Sequence, residues 1–86
     1  MPQYSILIVD DDPGFRKTLS DILKIKGYTA LGLDQGQAAL NWVYTERPAV
    51  ALIDLKLEDM SGLELMRAIK KGFPGTERIL LTGHAS

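Results

Sequence analysis

With 86 residues, 45% of them hydrophobic and 24% charged, the chain has the makeup of one small globular domain and too much apolar content for a disordered segment. A formal net charge of -1, with acids and bases spread along the sequence, gives no basic stripe for nucleic acid, so no direct nucleic-acid contact is expected from this segment. The absence of cysteine excludes disulfides and thiolate metal sites. No apolar run approaches the roughly 20 residues needed to span a bilayer, and no secretory signal opens the chain, so a cytoplasmic location and no membrane contact are expected.

Short apolar runs alternate with helical patterns. Tyr4 to Val9 is rich in apolar and β-branched residues and ends abruptly at acids, as a strand buried on both faces does. Asp12-Pro13 predicts a helix start, with Asp12 as N-cap and Pro13 at the first helical position. Phe15, Leu19, Ile22 and Leu23 follow at helical spacing, and Gly27 is the stop. A second, weaker strand is expected over Tyr28 to Leu33. A second helix is expected from Gln35 to Glu46, with Ala39, Leu40 and Val43 inward and Pro48 beyond its end. Val50 to Ile53 predicts a third strand that ends at Asp54. After a loop to Gly62, the residues Leu63, Met66 and Ile69 mark a third helix, stopped by Gly72 and Pro74. Ile79 to Leu81 predicts a fourth strand ending at Thr82-Gly83. The order β-α-β-α-β-α-β implies parallel strands joined by helical crossovers, a doubly wound α/β sheet.

In such sheets ligands bind beyond the carboxyl ends of the strands. That edge collects Asp10, Asp11 and Asp12 from the first strand, Asp54 from the third and Thr82 from the fourth. If the first and third strands are neighbours, their backbones lie about 4.8 Å apart and their acids meet in one pocket. Carboxylates so crowded resist ionisation unless a cation sits among them. Mg²⁺ suits, because it accepts one or two carboxylates and leaves room for phosphate oxygens. A carboxylate held there can attack phosphorus to form an aspartyl phosphate, with the metal offsetting charge on the transferring group. The Thr82 hydroxyl can hydrogen-bond a phosphoryl oxygen.

Four stretches, Ile6 to Pro13, Leu52 to Leu57, Met60-Ser61-Gly62 and Leu80 to Gly83, together resemble the receiver domain of two-component response regulators, in order and in spacing. The resemblance implies a flavodoxin-like sheet with strand order 2-1-3-4. It implies that Asp54 is the phosphoacceptor, that Asp11 binds Mg²⁺ directly and that Asp10 acts mainly through metal-bound water. Lys56 then stands where the family supplies a backbone carbonyl to the metal, and Thr82 is the switch hydroxyl. The donor would be a phosphohistidine on a histidine kinase or a phosphotransfer protein. The chain would be a signalling module and not an enzyme beyond its own phosphorylation and dephosphorylation.

Two departures accompany the resemblance. Glu58 stands where the family often has proline, which predicts a less rigid loop after Asp54. The chain also ends at Ser86, before the family's fifth strand with its lysine and the final helix, so residues 1–86 are expected to form a truncated receiver domain. Lys70 and Lys71, on the third helix, are expected to face solvent and not to replace that lysine. An exposed edge on the fourth strand is expected to promote self-association. Plainer roles fit other residues: Asp12 as a helix cap, Trp42 as a half-buried helix residue, and His84 as an exposed loop residue. Two further functions compete with the receiver reading. One is a haloacid-dehalogenase-type phosphatase using Asp10-Asp11-Asp12, which would not need Asp54. The other is an unphosphorylated interaction module.

Overall fold

The computed structural model describes residues 5–81. Its elements run β1 (Ile6–Val9), α1 (Pro13–Ile25), β2 (Ala30–Leu33), α2 (Gly36–Glu46), β3 (Val50–Asp54), α3 (Gly62–Gly72) and β4 (Glu77–Leu81). The four strands form one parallel sheet in the order β2-β1-β3-β4, as expected. All four residues of β1 are buried, because this strand has a neighbour on each side and a helical layer on each face.

The alternation of side chains along the strands sorts the core into two layers. Leu7, Val9, Ala51 and Ile53 point to the face covered by Ala39 and Val43 of α2 and Leu65 and Ile69 of α3. Ile6, Ile8 and Ala30 point to the other face, against Leu19 and Leu23 of α1. No residue of α1 is fully buried, and Ile22 is 43% exposed. The reason is that α1 lies over β1 and β2 with no second helix beside it among the described residues, whereas α2 and α3 pack against each other.

Several element ends follow from local chemistry. Asp12 caps α1 as expected, its Oδ1 accepting from the amides of Gly14 at 3.0 Å and Phe15 at 3.2 Å. At the other end the Gly27 amide donates to the Lys24 carbonyl and the Tyr28 amide to the Leu23 carbonyl. This is the Schellman pattern, and Gly27 supplies its left-handed residue at φ +94°. Tyr28 therefore belongs to the helix terminus, and β2 begins at Ala30, two residues later than the pattern of residues suggested. In α3 the buried positions are Gly62, Leu65 and Ile69, while Leu63 is 45% exposed. The side chain of Ser61 caps this helix by accepting from the Glu64 amide at 3.1 Å. Trp42 is half-buried against the core, and Lys70 and Lys71 are exposed, all as expected.

Candidate metal and phosphoacceptor site

The register of β1 on β3 pairs Val9 with Ile53, so the next residue of each strand is an acid, Asp10 or Asp54. The Asp10 amide still donates to the Leu33 carbonyl at 3.0 Å, which carries the sheet one residue beyond β1 and holds this acid at its edge. Asp10 is fully buried and Asp54 is 3% exposed. Asp11 follows in the turn and is exposed. Asp10, Asp11 and Asp54 each offer a carboxylate oxygen, and these atoms all lie within 4.8 Å of one another. Asp12 is not part of this cluster. Its carboxylate is taken by the α1 cap, and its own amide donates to Asp10 Oδ1 at 2.9 Å. Arg16 brings a cation to the same turn, with Nη1 donating to the Asp10 carbonyl at 2.7 Å.

Two buried carboxylates and a third at the rim concentrate negative charge at one point of the sheet edge, which favours a cation among them. Their donors are all oxygens, with one side of the cluster open through the exposed Asp11. That donor set fits a hard divalent cation and does not fit a soft metal, which takes sulfur or imidazole.

The loop after Asp54 is closed by backbone bonds. The Gly62 amide donates to the Leu55 carbonyl at 2.7 Å and the Leu57 amide to the Met60 carbonyl at 3.2 Å, and together these two bonds pair Lys56 with Ser61. A Cβ on Gly62 would fall on the Asp54 carbonyl, so the turn closes there only with glycine. Glu58 lies exposed in this closed loop. Its neighbour Asp59, not singled out by the sequence pattern, reaches across to the start of α2. Asp59 Oδ1 accepts from the Gly36 amide at 2.8 Å and Oδ2 from the Gln37 amide at 2.9 Å. The bonds from Gln37 and then Gly36 hold the Asp59 carboxyl below its ordinary value of 3.8. A lowered value means that the folded state favours the anion. The tie is therefore fully present above that ordinary value and is lost as pH falls through the lowered one.

Thr82, the expected switch hydroxyl, and His84 lie outside the described residues. A cavity of about 420 Å³ between the turns that precede β3 and β4 is lined by Arg47, Phe73 and Thr76 among others. It sits at the opposite end of the strands from the acids and contains none of them.

The response regulator receiver domain matches residues 6–86. The chain belongs to the response regulator receiver family. It is 36% identical over 81 residues to the transcriptional regulatory protein GlrR of Escherichia coli (strain K12), covering 94% of this chain and 18% of that protein. The chain thus spans about a fifth of that curated relative. Among solved structures, a CheY-like response regulator receiver domain protein from Methanospirillum hungatei JF-1 superposes with a TM-score of 0.90 at 37% identity, over 96% of this chain and 66% of that one. The response regulator TrrA from Thermotoga maritima, solved in complex with Mg²⁺-BeF, gives 0.88 at 30% identity over 95% and 71% of the two chains. TrrA has also been solved in complex with the histidine kinase ThkA, where the TM-score is 0.87 at 30% identity over 96% and 72%. The four-stranded sheet in the order 2-1-3-4 is that of the CheY-like flavodoxin fold. Receivers of this family are signalling modules of two-component systems and not enzymes in the ordinary sense, and family membership sets the phosphatase reading aside. No helix among the described residues is long and apolar enough to cross a membrane.

Proposed function

We propose that this chain accepts a phosphoryl group on Asp54 from a phosphohistidine of a partner histidine kinase or phosphotransfer protein. The observation that carries the reading is the meeting of Asp10, Asp11 and Asp54 within 4.8 Å at the carboxyl edge of the sheet. Asp54 is the nucleophile: one carboxylate oxygen forms the new bond to phosphorus while the P–N bond to the donor imidazole breaks, and the imidazole leaves to be protonated from solvent. Asp11 and Asp54 would hold Mg²⁺ directly, Asp10 would act through metal-bound water, and Lys56 would offer its backbone carbonyl. The ion supplies Lewis-acid offset of the charge on the transferring oxygens. Thr82 is the hydroxyl proposed to follow the phosphoryl group. The TrrA complexes with Mg²⁺-BeF and with a histidine kinase support both the cation and the partner. A cytoplasmic location and assignment of residues 1–86 to a single receiver unit belong to the same reading, as does self-association through the outer edge of β4.

Titration with Mg²⁺ and beryllofluoride, followed through Trp42 fluorescence and backbone NMR, tests this function. The expected result is a saturable change that needs both reagents and is absent in Asp54→Asn. Labelling from a small acyl phosphate should likewise disappear in Asp54→Asn. A response that persists in that variant refutes the assignment of Asp54. No metal-dependent change in the unaltered chain would point instead to an unphosphorylated interaction module.

A further inference from the structure

Asp59 stands outside the acidic cluster and is not used by the chemistry proposed above. Its two oxygens take up the first two amides of α2, which lie 23 and 22 residues earlier in the chain. Those amides have no partner within their own helix, since the first turn of any α-helix leaves its donors unsatisfied. Helix α2 also has no cap of its own, because the Gln35 side chain makes no capping bond and the first turn contains no acid. Asp59 therefore caps α2 from another loop, with charge-assisted bonds aimed at the positive end of the helix dipole. The adjacent Met60 packs on the same spot: a Cβ on Gly36 would lie 2.5 Å from Met60 Cγ.

The loop that carries Asp59 begins immediately after the proposed phosphoacceptor. Its base is fastened by the bond from Gly62 to Leu55 and its middle by the bond from Leu57 to Met60, the two bonds that set Lys56 opposite Ser61. Closed in this way, it is a short finger whose remaining freedom is its tilt about Asp54 and Gly62. The tip is fixed to α2, and α2 packs through Ala39 and Val43 against the layer containing Val9 and Ile53. Those two residues directly precede Asp10 and Asp54. The contacts thus form a ring running from the acids through the strands to α2, through Asp59 to the finger, and back to Asp54.

Resting on the metal reading above, we infer that Asp59 is a positioning residue for the divalent cation. By tying the finger to the N-terminus of α2, it sets where the loop backbone, including the Lys56 carbonyl, stands relative to Asp54. Asparagine at this position keeps one acceptor but turns an NH₂ group toward a backbone N–H, and alanine removes both acceptors. A residue that only capped the helix would alter α2 and leave cation affinity alone.

The test uses the whole chain and Mg²⁺ alone, titrated by backbone NMR, with amide hydrogen exchange measured on the same samples. Asp59→Ala is expected to speed exchange at Gly36 and Gln37 and to weaken Mg²⁺ binding by about tenfold, the low end for residues that orient metal ligands. Asp59→Asn should fall between it and the unaltered chain, and carries the test if the alanine variant does not fold. Thr76→Val removes the buried hydroxyl that donates to the Pro48 carbonyl at 2.7 Å, at the far end of the strands. It should leave Mg²⁺ affinity as it was, showing that general loosening is not the cause. Faster exchange at α2 with unchanged Mg²⁺ affinity in the Asp59 variants overturns the inference. So does an equal loss of affinity in Thr76→Val. An unaltered chain that does not bind Mg²⁺ overturns the metal reading itself, and the inference with it.

Discussion

Gly62 shows how a single hydrogen atom in place of a side chain positions the site. The backbone at this residue lies against the Asp54 carbonyl, and a Cβ would have to displace main chain, which cannot swing aside. Gly36 differs, because there the atom in the way belongs to the flexible Met60 side chain. Gly62→Ala is expected to destabilise the chain by roughly 1–3 kcal/mol, the usual cost of overpacking, and to weaken Mg²⁺ binding by displacing Asp54. Urea denaturation and a Mg²⁺ titration measure the two effects, and an unchanged midpoint would show that the turn can open without cost. The acids of the cluster were legible in the sequence because Asp10 and Asp54 each follow a short apolar run directly, Asp11 comes next after Asp10, and strand ends in a parallel sheet share an edge. Asp59 was not legible, since its partners lie more than 20 residues away. The one local signal was negative: Gln35 is a poor residue to begin a helix, so α2 needed a cap from elsewhere.

Elements were legible in order and type, while their faces were decided by neighbours. In α3 the apolar residues Leu63, Leu65, Met66 and Ile69 permit more than one inner stripe at helical spacing. The structure selects Gly62, Leu65 and Ile69, because Gly62 must lie against Asp54 and the rest of the helix takes its phase from that contact. Leu65→Ala should therefore cost about 2–5 kcal/mol, as for a buried leucine. Leu63→Ala should stay within about 0.5 kcal/mol, as for an ordinary surface change. Chemical denaturation of the pair checks the phase, and equal losses would show that both leucines face the core. The late start of β2 has a similar origin. Tyr28 fits a strand by composition, but its amide is committed to the Leu23 carbonyl in the helix terminus.

At the scale of the whole molecule, the two faces of the sheet are unequally covered. The face bearing α2 and α3 holds a continuous core, while among the described residues the opposite face has only α1, set over β1 and β2. On that second face Ile79 of β4 stands opposite Leu52 of β3 and is 50% exposed. Among the described residues β4 has a strand on one side only, so its outer edge presents backbone donors and acceptors together with apolar side chains. An edge of this kind is a template for another strand. The proposed self-association would pair it with a second copy and remove Ile79 from water. Sedimentation at increasing concentration is expected to show association that Ile79→Lys abolishes, because a charge on a strand edge opposes pairing. The same substitution should leave Mg²⁺ binding intact, since Ile79 is not among the acids of the cluster. A folded chain that sediments as a monomer throughout would refute association through this edge without touching the assignment of Asp54, because Asp10, Asp11 and Asp54 all come from one chain.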